Sequence, residues 1–163
     1  MFSFLRKRPS GFKVLDNDKY FGILIQNPKN KYNVGTILRT AHNFGASFVF
    51  TTGEEYVRQP GDVNHVEKHI PFMHFDSIDD ALKAIPRKCK LVVVKQSKKS
   101  VDLITAQHPK RAIYVFGNEL TGVEQSLVNR ANLAISINTI GCMNVAVTAG
   151  IIMYDRFLKL KGK

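Results

Sequence analysis

Short β-rich apolar runs alternate along the chain with segments whose apolar residues recur every three to four positions, the pattern of a mostly parallel sheet covered by helices on both faces. Residues 21–25 are the first run and residues 47–51 the next. Between them Val34, Ile37, Leu38, Ala41 and Phe44 fall on one helical face, with Asn33 as the expected N-cap and Gly45 as the C-terminal stop. A polar connection from Gly53 to Pro71 leads to a helix predicted over 77–85, capped by Ser77 and carrying Asp79 and Asp80 in its first turn, where they suit the helix dipole. Residues 91–94 and 112–116 are near-continuous apolar runs, expected as central strands buried on both faces. A further strand is predicted over 133–137. A long closing helix follows over 144–159, with Val145, Ala149, Ile152, Met153 and Phe157 toward the core.

At 163 residues, with 44% hydrophobic positions and 11 Phe, the chain reads as a single α/β domain over 19–163. Residues 1–18, with Arg6, Lys7, Arg8 and Lys13, read as a basic arm; an unstructured end is the alternative. Lys and Arg number 24 against 13 Asp and Glu, a net charge of +11 that points to a polyanionic partner rather than to solubility alone. The first nine residues lack the order and length of a signal peptide. No apolar run approaches the ~20 residues of a membrane span, so no membrane partner is expected. Cys89 and Cys142 fall in no metal or redox spacing, which suits a reducing, cytoplasmic setting.

Three distant stretches carry the chemistry. They are Asn33-Val-Gly-Thr-Ile-Leu-Arg39-Thr-Ala, Phe116-Gly-Asn-Glu119-Leu-Thr-Gly122 and Cys142-Met-Asn144-Val-Ala-Val-Thr-Ala-Gly150. Each sets functional polar side chains among small residues at a strand-to-helix junction, where open α/β sheets bind ligands. In this order and at these separations they resemble the motifs of the SpoU-type (TrmH-like) branch of the SPOUT RNA methyltransferases, over roughly residues 21–157.

The resemblance implies an S-adenosylmethionine-dependent 2′-O-ribose methyltransferase acting on tRNA or rRNA, tRNA being favoured by the small size. It also implies a trefoil knot tied through the segments after Phe116 and after Ile137, against the general rarity of knots, and a homodimer packed through the knotted ends. By the same resemblance Arg39, Glu119, Asn144 and Asn33 are the catalytic set, with Glu119 holding Arg39 or the substrate and Asn144 near Arg39. Val94, Gly117, Ile135, Ile137, Cys142 and Met143 are the expected cofactor pocket, gripping the adenosine through backbone groups and apolar walls. A guanidinium stays protonated and is a poor base, so Arg39 is expected to clamp a phosphate and stabilise the forming alkoxide.

RNA contacts are expected from Arg39, from residues 56–61 with Arg58, together with Lys68 and His69, and from Lys95, Lys98 and Lys99 just after a central strand at the same sheet edge; solvated charge is the bland alternative. His65 and His69 have metal-like spacing but lack the His-Glu-x-x-His order and a third ligand, so no metal is expected. The third motif departs from the family pattern: Ile135-Ser-Ile137 stands for Ile-Pro-Met, the loop is shorter, and Cys142 replaces a serine. A thiol bonds more weakly than a hydroxyl, and these departures are the best argument for the rival reading, a non-catalytic RNA-binding or ribosome-assembly protein. An ordinary nucleotide-binding α/β enzyme is disfavoured because no G-x-G-x-x-G or Walker sequence follows the first strand.

Overall fold

A computed structural model describes residues 18–54, 56 and 66–161. Of the expected basic arm only Asp18 is described, and Arg58 and His65 also lie outside the described residues.

In chain order the elements are β1 (Tyr20–Gln26), α1 (Lys31–Asn43), β2 (Phe48–Thr52), a 3₁₀ turn (Val66–Lys68), β3 (Phe72–Phe75), α2 (Ile78–Ala84), β4 (Lys90–Val94), β5 (Val101–Asp102), β6 (Arg111–Phe116), α3 (Gln125–Arg130), β7 (Leu133–Ser136) and α4 (Val145–Lys161). The strands form one seven-stranded sheet in the order β3-β2-β1-β6-β4-β7-β5, with every pairing parallel. The apolar runs expected at the centre are β4 and β6, and β6 is the middle strand. Side chains alternate across the sheet with the period of two that strands impose. Ile23, Ile25, Val49, Val92 and Phe116 meet α1 and α4 on one face. Leu24, Phe48, Phe50, Val93 and Val115 meet α2 and α3 on the other.

The predicted stop of α1 and the predicted cap of α2 both hold. Phe44 closes α1 and is followed by Gly45 at φ +73°, a conformation glycine adopts without a Cβ penalty. Ser77 caps α2 by accepting from the Asp80 N–H at 3.2 Å. Elements the pattern did not announce are short: β3 has four half-buried residues, β5 has two, and α3 has six with no side-chain cap. None is long enough to show a period.

β7 lies between β4 and β5, two strands that follow one another in the chain. The chain leaving β7 therefore meets the connection over 95–100, where Gln96 Nε2 donates to Ile137 O and Thr139 Oγ1.

α4 turns Ala146, Ala149, Ile152 and Met153 onto α1 and the sheet. Phe157, expected in this core, is instead 39% exposed and lies edge-on to Phe44 at 5.9 Å. The inward position one residue earlier is taken by Arg156, which is 4% exposed. Its guanidinium donates to Pro109 O (2.6 Å), Lys110 O (2.8 Å), Tyr20 O (3.3 Å) and the Tyr114 hydroxyl (3.1 Å), and lies over the Phe21 ring. Beside it buried His108 bonds Tyr114 Oη through Nδ1 (2.6 Å) and Asp155 through Nε2 (2.7 Å), and Lys159 pairs with Asp155. Burial lowers the His108 pKa despite the Asp155 carboxylate, and burial pushes the Tyr114 hydroxyl up to about 12.

Candidate active site

The first motif enters at the start of α1. Asn30, in extended conformation, is the N-cap: its Oδ1 accepts from Tyr32 N at 2.9 Å. The expectation that Asn33 caps this helix is corrected, because Asn33 is the third helical residue and its buried amide is used elsewhere. Asn33 Nδ2 donates to Glu119 Oε1 at 2.9 Å, and Asn33 Oδ1 accepts from Asn144 Nδ2 at 3.0 Å. One asparagine thereby joins the second motif to the third.

Glu119 accepts two further bonds, from Lys29 N (3.0 Å) and Asn30 N (3.2 Å). Its carboxylate fills the N-terminus of α1, where negative charge is favoured. Partial burial works to raise its pKa, but the bonds from Lys29 N, Asn33 Nδ2, its own N–H and Asn30 N outweigh that and hold it below the ordinary carboxylate value. Glu119 does not hold Arg39, and a carboxylate so committed is a weak base. Asn144 caps α4 through bonds from Ala146 N (2.8 Å) and Val147 N (3.3 Å), so capping and the Asn33 link coexist in one side chain.

The turn that presents Glu119 is held by its neighbour. Asn118 Nδ2 donates to Asn27 O (2.9 Å), its Oδ1 accepts from Leu120 N (2.8 Å) and Thr121 N (3.3 Å), and its carbonyl accepts from Gly122 N (2.7 Å). The turn folds so tightly that a Cβ on Gly117 would stand 2.0 Å from the Gly122 carbonyl carbon, so no side chain is possible there.

Between this turn, the end of β4 and the loop before α4 lies a cavity of about 460 Å³, within the roughly 300–1,000 Å³ of small-molecule sites. Of the expected cofactor residues, Val94, Gly117, Ile137, Cys142 and Met143 line it, and so do Glu119 and Asn144. Ile135 does not: it is fully buried within β7, pointing into the core rather than the cavity. Gln96 and Thr139 also line the cavity and were missed, and so does Lys95, which was expected among the RNA contacts and not here. Lys95 Nζ donates to Val123 O at 2.8 Å, and Gln96 Nε2 donates to Ile137 O (3.3 Å) and Thr139 Oγ1 (3.2 Å), bracing the loops against each other. The place of Lys95 and Gln96 directly after the central strand β4 was the available signal, because that is where parallel sheets present ligand groups.

Arg39 sits almost two turns beyond Asn33, roughly 9 Å along the axis at 1.5 Å per residue. It is exposed, lies outside the cavity lining, and has no hydrogen bond or ion pair with a described residue. Asn144 is linked to Asn33, not to Arg39.

The expected alignment of Lys68, Lys98 and Lys99 along one sheet edge is not found. Lys68 precedes the edge strand β3, whereas exposed Lys98 and Lys99 follow β4, four strands away. The latter pair belongs to the 95–100 connection, whose first residues line the cavity. His69 stacks near His42 at 5.7 Å, and no group of three potential metal-ligating side chains occurs among the described residues. Cys142 is exposed at the cavity, and no described side chain hydrogen-bonds its thiol.

A relative from Aquifex aeolicus, a tRNA (guanosine(18)-2′-O)-methyltransferase, is 26% identical over 140 residues, 82% of this chain and 66% of its own length. The solved A. aeolicus TrmH/SpoU tRNA modifying enzyme superposes with a TM-score of 0.79 at 26% identity, over 88% of this chain and 77% of that one. The SpoU methyltransferase AviRb from Streptomyces viridochromogenes, solved in complex with AdoMet, superposes with a TM-score of 0.81 over 92% of this chain and 64% of that one; at 18% identity it speaks for the fold alone. The SpoU rRNA Methylase family matches residues 20–154, a span that takes in all three motifs and the asparagine that ties them together. The chain therefore belongs to the SpoU rRNA methylase family.

Proposed function

We propose that this protein transfers the methyl group of S-adenosylmethionine to a ribose 2′-hydroxyl of RNA, tRNA rather than rRNA. The observation that carries the reading is the bonded series Glu119, Asn33, Asn144, which gathers three motifs from across the chain beside one cavity of small-molecule size. The cavity fits the cofactor: Val94, Phe116, Ile137 and Met143 offer apolar walls for an adenine, and Gln96, Thr139 and Asn144 a polar margin for its sugar and amino-acid ends. The bound cofactor would supply an electrophilic methyl on a sulfonium.

The protein's own residues do the rest. Glu119 and Asn33 are positioning residues that hold the start of α1 against the cavity. Arg39, exposed and without a partner among the described residues, takes an RNA phosphate and stabilises negative charge growing on the attacking oxygen. Lys98 and Lys99 extend the positive surface beside the cavity. The relative's action on tRNA, together with the +11 charge, supports an RNA substrate.

The outer face of α4 supports a homodimer. Val147, Ile151, Tyr154 and Leu158 are exposed at helical spacing and form an apolar stripe in which only Tyr154 meets another ring, edge-on to Phe44, among the described residues. Among the described residues no helix is long and apolar enough to cross a membrane, and free Cys89 and Cys142 suit the cytoplasm.

Incubation with labelled S-adenosylmethionine and total small RNA, followed by nucleoside mass spectrometry, tests the reading. Label is expected on ribose 2′-oxygens and is expected to vanish with Arg39→Ala. Label on a base overturns the ribose assignment. Failure to bind S-adenosylmethionine in calorimetry returns the non-catalytic RNA-binding reading.

A further inference from the structure

The face of α1 that Arg39 occupies carries a second exposed group. Tyr32, Thr36 and Arg39 follow one another at i, i+4 and i+7 and are all exposed, whereas Asn33, Val34, Ile37 and Leu38 turn inward. Tyr32 is 67% exposed, and among the described residues neither its ring nor its hydroxyl has a partner; only its backbone N–H is bonded, to Asn30. The ring is held by no described residue, so its face is available to a flat partner on the same side of the helix as Arg39. The ring stands two residues from Asn30, whose N–H binds Glu119, and the next residue after Glu119 is Leu120, itself 83% exposed.

Resting on the function proposed above, we infer that Tyr32 is a stacking platform for an unpaired base of the RNA substrate, working with Arg39 on the phosphate of the same strand. The charges favour this occupant. Glu119 already fills the N-terminus of α1, so a phosphate is turned away from the helix end and toward Arg39, two turns past Tyr32 and about 10 Å along the axis. Thr36, small and exposed between them, leaves the strand room to pass. An apolar protein partner would not match a face that ends in an exposed guanidinium, without a partner among the described residues, on a chain of net charge +11. Aromatic stacking tolerates any base, so Tyr32 contributes position and affinity rather than base identity.

The chain contains no Trp, so Tyr32→Trp introduces a single indole reporter at this spot. Its fluorescence is expected to be quenched on titration with unfractionated tRNA, with affinity close to that of the unaltered protein. Tyr32→Phe should bind the same tRNA within about twofold. Tyr32→Ala should bind it about five-fold or more weakly, the loss of one stacked base. Affinity for S-adenosylmethionine, measured by calorimetry, should be unchanged in all three.

Absence of quenching, or Tyr32→Ala binding tRNA as well as the unaltered protein, overturns the platform. Phe binding as poorly as Ala also overturns it, because the hydroxyl and not the ring would then be the contact. The two readings fail separately. If Tyr32→Ala methylates and binds as the unaltered protein does while Arg39→Ala is inactive, only the platform falls. If the unaltered protein binds no S-adenosylmethionine and labels no RNA, the enzymatic function falls.

Discussion

The two ends of α4 carry polar clusters of opposite design. At the N-terminal end, Asn144, Asn33 and Glu119 bond one another at the cavity, and on neighbouring α1 the exposed side chains of Arg39 and Tyr32 have no hydrogen-bond partner among the described residues. Toward the C-terminal end, Arg156, His108, Tyr114, Asp155 and Lys159 close on each other and on backbone carbonyls. Both clusters hold strong donors. A guanidinium whose bonds all go to protein, as in Arg156, stabilises the fold and has nothing left for a ligand; one left in solvent, as in Arg39, adds little stability and can meet a phosphate.

Substitutions can break this contrast. Arg156→Ala strips three carbonyls and the Tyr114 hydroxyl of a donor and empties buried space, so a loss of about 3–5 kcal/mol is expected in urea denaturation. A loss under about 1 kcal/mol would mean that the C-terminal cluster does not hold the fold. Arg39→Ala should do the reverse, with turnover falling about 10²–10³-fold and stability moving by less than about 0.5 kcal/mol. Arg39→Lys sharpens the test: near-full turnover with unchanged RNA affinity would remove the bidentate clamp.

Asn33→Ala should fall between these two, because it leaves Asn144 Nδ2 and one Glu119 oxygen short of a partner. About 1–2 kcal/mol of stability should be lost, with weaker S-adenosylmethionine binding in calorimetry. Unchanged cofactor affinity would show that the three motifs need no common link.

Acid should act on the two clusters in different windows, and this is the smallest effect. His108 has a pKa held below its ordinary 6.5, so the unfolded chain takes the proton first. Its contribution is complete above pH 6.5 and declines as pH falls from there through the lower folded value. Glu119, likewise held low, keeps its full contribution above its ordinary 4.5 and loses it as pH falls from there. Denaturation midpoints across pH should therefore start to decline below 6.5, a loss that His108→Gln abolishes, and take up a further loss below 4.5 that Glu119→Gln abolishes. One decline sensitive to neither variant would refute the assignment.

Much of this was legible along the chain because it depends on local period and composition. Every long element was foreseen within a few residues, including the Ser77 cap and the central place of β4 and β6, since burial on both faces leaves an unbroken apolar run. The second and third motifs marked the cavity, the first is tied to it through Asn33, and five of the six expected cofactor residues line it. Ile135 escaped because an apolar residue in a strand reads alike whether it faces a cavity or the core.

Which partner each polar side chain takes was decided by the tertiary structure alone. Asn30 and Asn33 are equally good caps on paper, and Asn33 is drawn away by Glu119 and Asn144, which lie 86 and 111 positions distant. Arg39 and Arg156 are the same residue type on helices, yet one faces solvent and the other closes a buried cluster. Periodicity tells a side chain which way its own helix turns; hydrogen bonds between distant segments exist only once the sheet has brought those segments together.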